Sequence, residues 1–207
     1  MQTTDLQQAL ERLIAITRWA NRQGLTPGTG GNFSLRHDSH SCWVTASGVD
    51  KGALTPSDFI RVGWDHTLLE GRGTPSAETG IHTTLYELDP NIVTVCHTHA
   101  LSATVLSRLT ESDWFNITGW EMQKTQPGIT THESTVSLAL FDNHQDMTVL
   151  AEQIKQRWTT QTLTSGILVR GHGLYSWSYD MNQAQMNLEG LIFLLECELT
   201  KRQLERE

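Results

Sequence analysis

"NIVTVCHTHALSATVLSRL", residues 91–109, decides how the chain is read. An apolar, β-branched run ends in a histidine pair and passes at once into a helical pattern. A strand feeding directly into a helix is the building unit of a layered α/β domain. The polar His97-Thr98-His99 at the junction breaks the strand's own pattern, and such breaks are expected where a chain carries function. In a strand, residues i and i+2 share a face, so both imidazoles can turn toward one point. Cys96 and Thr98 then face the other way, and Cys96 is not expected to be a ligand.

Working outward toward the N-terminus, Thr4–Gln23 reads as a helix with a Thr4–Gln7 capping box. Leu6, Leu10, Leu13, Ile14 and Thr17 form its stripe, and Gly24 is its stop. Short β-type runs follow at 41–47 and 58–64. Residues 75–88 read as a helix with Ser76 as N-cap and Ile81, Leu85 and Leu88 on one face. Toward the C-terminus, weaker strands are expected at 114–118 and 134–141, and a helix at about 147–158. One strong strand is expected over "SGILVRGHGLYSWS", 165–178, and a last helix from about Met181 behind Asp180 as N-cap. Its stripe is Ala184, Leu188, Leu191, Leu195 and Leu199. No repeat, linker or low-complexity tract divides the chain, so residues 1–207 are taken as a single domain. Several strand pairs lie close enough in sequence for hairpins, which predicts a mixed sheet.

The second strong strand repeats the design of the first: "VRGHGLYSW" ends an apolar run in His172, between Gly171 and Gly173. Three strand-end histidines, His97, His99 and His172, match the three-ligand, one-open-position pattern of a catalytic zinc site, with one Zn2+ per chain. The alternative is three hydrogen-bonded structural histidines. The other six, His37, His40, His66, His82, His132 and His144, read as surface residues, with the helical setting of His82 leaving that one open.

Three segments offer loop or helix-terminal amides to an anion: "GTGGN" (28–32), "TASG" (45–48) and "PSAE" (75–78). Asn32, Ser47, Gly48 and Ser76 supply donors there, and Lys51 a point charge. None matches a P-loop or dinucleotide fingerprint, so ATP and NAD are not expected. Glu78 reads first as a charge stabilising a helix N-terminus. Glu121, beside Trp120 and Met122, is either a surface glutamate or a carboxyl whose apolar surroundings raise its pKa toward that of a general acid/base.

The 207 residues carry a formal charge of −8, with 15 Lys and Arg scattered along the chain, so a nucleic-acid partner is not expected. Three widely separated cysteines, Cys42, Cys96 and Cys197, make no disulfide framework. No secretory pattern or membrane-length apolar run is seen, and a cytoplasmic, soluble protein is expected.

Taken in order, "GTGGNFSLR", "TASGVDKGALTPSDF", "PSAETGIHTTLY", "CHTHA", "GWEMQK" and "VRGHGLYSW" resemble the class II aldolase/adducin superfamily over nearly the whole chain. Within it, "SGVDKG" and the "WEM" about twenty residues after the histidine pair resemble a dehydratase branch acting on a ketose 1-phosphate. The resemblance implies a three-layer α/β/α fold with a mixed central sheet and a homotetramer. It implies zinc on His97, His99 and His172, and Glu121 as catalytic acid/base. Glu78 would take a substrate-side role, with the substrate phosphate near Asn32, Ser47, Gly48, Lys51 and Ser76. The alternative within the superfamily is an aldolase or epimerase acting on a sugar phosphate.

Overall fold

The first element, α1 (Thr3–Arg22), turns Leu10, Leu13, Ile14 and Thr17 inward at helical spacing. Gly24 sits just past its end at φ +73°, a left-handed position that glycine adopts without a Cβ clash. The chain is described here by a computed structural model, which covers residues 3–205 and the side chains of 6–205. The Thr4 side of the expected capping box lies outside the described residues.

Nine strands follow among the described residues: β1 (Asn32–Arg36), β2 (Ser41–Thr45), β3 (Phe59–Gly63), β4 (Leu68–Glu70), β5 (Thr94–Thr98), β6 (Trp114–Ile117), β7 (Val136–Phe141), β8 (Gly166–Val169) and β9 (Gly173–Ser178). They form one sheet in the order β4-β3-β2-β1-β5-β9-β8-β7-β6. Only β7 and β8 run parallel, so the sheet is mixed as expected, though mostly antiparallel.

The helices α2 (Thr79–Leu88), α3 (Leu101–Leu109), α4 (Met147–Thr160) and α5 (Ala184–Leu204) complete the fold. Alternation along the strands sorts the core into two layers. On one face, Phe33, Leu35, Cys96 and Leu174 pack with residues of α1, α3 and α5, including Leu13, Leu106 and Leu188. On the other, Val95, Ile167, Tyr175 and Trp177 pack with Ile81 and Leu85 of α2 and Leu150 and Ile154 of α4. Each fully buried aliphatic side chain contributes ~1.5–3 kcal/mol, so both faces must be covered, and three layers result. Among the described residues, no helix is long and apolar enough to cross a membrane.

Several boundaries differ from the expected ones. The run 165–178 is two strands, β8 and β9, because Arg170, Gly171 and His172 turn the chain back on itself. His172 N–H donates to Val169 O at 3.0 Å, and Gly171 takes φ +65°. The Arg170 guanidinium secures this turn on the carbonyls of Thr110 and Ser112 and on Asp142. The helix expected from 75 begins at Thr79, with Ser76 in the preceding turn, where its Oγ accepts from Glu78 N–H at 3.3 Å. The last helix begins at Ala184 rather than Met181. Asp180 instead holds the turn before it, accepting from Asn182 N–H at 2.9 Å. The exposed three-residue β4 has too little apolar pattern to be read from sequence.

Candidate metal centre

The sheet brings the three histidines to one place. β5 delivers His97 from its interior and His99 one residue beyond its end, while the β8–β9 turn delivers His172 from the neighbouring strand pair. Register fixes the approach, since His97 lies opposite Asn32 on β1 and opposite Tyr175 on β9. Glycines make room for it. A Cβ on Gly173 would collide with the Thr98 carbonyl oxygen. One on Gly30 would lie 2.7 Å from His99 Nδ1, and one on Gly31 2.6 Å from His97 O.

The three Nε2 atoms lie 3.0, 3.3 and 3.1 Å from one another. A ring nitrogen carries either a proton or a lone pair, so three of them in a triangle cannot satisfy one another by hydrogen bonding. At a metal–nitrogen length of ~2.0–2.1 Å, tetrahedral ligands lie ~3.3–3.4 Å apart, close to the spacing seen. The donor set therefore fits a metal ion. His97 is already in the required tautomer: its Nδ1–H donates to Leu174 O at 3.0 Å, leaving the Nε2 lone pair for the ion. Tyr175 stacks on the His97 ring at 3.9 Å and 14°. Burial, together with the charges of His97 and His172, pulls the His99 pKa down to about 4. Burial also lowers that of His97. Neutral imidazoles are the form a metal binds.

Glu78, at the N-cap of α2, joins this group, and one ligand atom from each of the four residues lies within 4.8 Å of the others. Its Oε1 is 2.8 Å from His172 Nε2, 3.6 Å from His97 Nε2 and 4.0 Å from His99 Nε2. Burial pushes its carboxyl up, but the adjoining His172 and His97 imidazoles outweigh this and hold it well below the usual carboxylate range. The helix-end charge read from sequence is thus a member of the metal group.

A cavity of about 880 Å³ opens over the cluster. It is lined by all six residues expected on the substrate side: Asn32, Ser47, Gly48, Lys51, Ser76 and Glu78. Lys51 is almost wholly buried, and its ammonium donates to Thr29 O at 2.9 Å and Val49 O at 3.0 Å. Two of its three N–H groups are committed in this way, at the wall of the cavity. Burial lowers the Lys51 pKa, against the opposing charges of Glu78 and Asp50. Asn32 is committed differently from the free donor expected: its amide bonds Glu78 and His82.

Two readings left open by the sequence are decided locally. His82 is fully buried rather than a surface histidine, because α2 turns it onto the sheet beside Asn32 and Ser34. Glu121 lies in a 3₁₀ turn, Glu121–Thr125, with its side chain 70% exposed, and does not line the cavity of its own chain. Its pKa is lowered rather than raised, chiefly by the hydrogen bond from Lys124 at 2.5 Å. Asn143, Gln145 and Met147 also line the cavity, and sequence reasoning missed them because the loop before α4 carries no motif.

The family model described as Class II Aldolase and Adducin N-terminal domain matches residues 11–199. The chain belongs to the class II aldolase and adducin family. It is 47% identical over 197 residues to the methylthioribulose-1-phosphate dehydratase of Cronobacter sakazakii, covering 95% of this chain and 97% of that protein. The match to the dehydratase of the same name from Serratia proteamaculans is 47% over 198 residues, covering 96% and 97%. Among solved structures of the class II aldolase fold, L-fuculose-1-phosphate aldolase from Thermus thermophilus aligns with a TM-score of 0.77 at 20% identity, covering 97% of this chain and 98% of the other. A sugar-phosphate aldolase from Thermotoga maritima aligns at 0.71 and 16% identity, covering 98% of each.

Proposed function

We propose that the chain is a zinc-dependent hydro-lyase that dehydrates 5-methylthioribulose 1-phosphate to 5-methylthio-2,3-diketopentyl 1-phosphate in methionine salvage, acting in the cytoplasm as a homotetramer with one zinc per subunit. The observation that carries this reading is near-full-length similarity at 45–47% identity to proteins named for that activity. A three-histidine cluster at the floor of an anion-suited cavity supports it.

His97, His99 and His172 would hold the zinc, which would supply Lewis-acid polarisation of the C2 carbonyl and make the C3 proton easier to remove. Lys51, Ser47, Ser76 and the amides around Gly48 hold the phosphate, so C3 and C4 sit over the cluster. Glu121 takes the proton from C3 and returns it to the departing C4 hydroxyl, which leaves as water. The resulting enol ketonises to the 2,3-diketone. Exposed on its own chain, Glu121 does this chemistry in the cavity of a neighbouring copy. Leu101, 74% exposed at the cavity wall, is an apolar surface for that copy to cover.

One observation favours a second reading. Glu78, not Glu121, lies against the histidines, and an acid/base there suits cleavage of C3–C4 by an aldolase. NMR analysis of products from methylthioribulose 1-phosphate, with bound zinc quantified, separates the two. The dehydratase reading expects the diketone from wild type, and a loss of ~10²–10⁴-fold in Glu121→Gln at unchanged zinc. Dihydroxyacetone phosphate as the product would replace it with the aldolase. Full activity of Glu121→Gln would remove Glu121 from the mechanism.

A further inference from the structure

Behind Glu78, on the side away from the three histidines, a file of polar groups crosses from β1 to α2. β1 places Asn32 and Ser34 on one face, two residues apart, and α2 places His82 and Tyr86 one turn apart. Tyr86 and His82 are at most 1% exposed, Ser34 not at all and Asn32 3%.

Each contact in the file has one permitted direction. A carboxylate only accepts, so the Asn32 amide Nδ2–H donates to Glu78 Oε2 at 2.5 Å. Asn32 Oδ1 is then the atom facing His82 Nε2, also at 2.5 Å, and His82 must carry its proton on Nε2. His82 Nδ1 is left as an acceptor and takes the Ser34 hydroxyl at 2.7 Å. Ser34 Oγ in turn accepts from the Tyr86 hydroxyl at 2.8 Å. All four donations point the same way, from Tyr86 toward Glu78, and bonds so aligned polarise one another. Burial holds the His82 pKa down to about 3, so the ring stays neutral and keeps this single tautomer.

We propose that His82 is a positioning residue for the metal centre: through its Nε2–H it fixes the Asn32 amide, which anchors Glu78 Oε2 and leaves Oε1 as the one carboxylate oxygen turned to the imidazoles. A His82 without that proton would let the amide rotate and set Oδ1 against Oε2, acceptor against acceptor. The carboxylate would then swing from the cluster. This matches the role of outer groups that orient metal ligands elsewhere, worth ~10–100-fold in affinity or activity. The kinetic arm of the test rests on the proposed dehydratase activity; the binding and spectroscopic arms do not.

The test compares His82→Leu and His82→Gln in the zinc-loaded protein, with Leu188→Ala on the opposite face of the sheet as a destabilised control. Zinc affinity is read by chelator competition. His82→Leu is expected to lose ~10–100-fold in zinc affinity and a similar factor in kcat, with KM nearly unchanged. His82→Gln, whose amide N–H replaces Nε2–H, is expected to stay within a few-fold of wild type, as is Leu188→Ala. His82→Leu behaving as wild type would overturn the proposal, as would His82→Gln falling as far as His82→Leu. Where His82→Leu does not fold, proton–nitrogen correlation NMR of the wild type decides: an Nε2–H tautomer at His82 supports the proposal and an Nδ1–H tautomer overturns it. A wild type inactive on the substrate would defeat the dehydratase reading and leave the affinity and tautomer results standing.

Discussion

Acid should destabilise this fold through His82 before any surface group matters. The folded state holds the ring neutral, with its pKa lowered to about 3 by burial and by the charge of His97. The unfolded chain restores an ordinary value of ~6.5. Between those values the unfolded state binds a proton that the folded state excludes, so stability falls as pH drops through ~6.5 and keeps falling toward ~3. From pH 7 to pH 5 the unfolded histidine becomes almost fully protonated while the folded one stays almost fully neutral. The difference costs RT times the logarithm of the unfolded protonation factor, ~2 kcal/mol. For a chain of this size that is a fall in Tm of ~4–8 °C. The measurement is urea unfolding of metal-free wild type and His82→Gln at both pH values. Wild type should lose ~2 kcal/mol more than the variant, because His97, His99 and the carboxylates titrate in both. Parallel losses, agreeing within about 0.5 kcal/mol, would refute a buried neutral His82.

Lys51→Met should raise KM for a phosphorylated substrate by ~10–100-fold with little change in kcat, the loss of one charged hydrogen bond; an unchanged KM would take the phosphate away from this lysine. Gly173→Ala should destabilise by about 1–3 kcal/mol and weaken zinc binding, since a methyl there meets the Thr98 carbonyl between the strands that carry the ligands; denaturant melts and chelator competition check both.

What was legible in the sequence was legible for local reasons. His97 and His99 stood out because they interrupt a β-branched run, and His172 because glycines flank it. The amide-rich segments were legible as glycine and serine clusters, and all of them line the cavity. What the sequence concealed was contact across distance. Glu78 has the same local pattern whether it caps a helix or meets three imidazoles, and only the pairing of β1 with β5 beside α2 decides between them. His82 sits on a helix of mixed polarity, whose pattern alone does not say which face meets the sheet. Its partners, Asn32 and Ser34, are about fifty residues away. The apolar neighbours of Glu121 suggested a raised pKa, but a 3₁₀ turn puts Lys124 on its side chain instead.

The strand order also divides the molecule in a way the ligand set makes consequential. The first five strands stand on one side of the sheet and the last four on the other, and β5–β9 is the single strand pairing that joins them among the described residues. Glu78, His97 and His99 come from the first half and His172 from the second, so the ligands straddle that seam. An ion bound by these four side chains would therefore act as a clasp between the halves. Those four side chains come together only once β5 pairs with β9, a pairing of residues about eighty positions apart in the chain. The free energy of metal capture would then add to that of keeping the sheet closed.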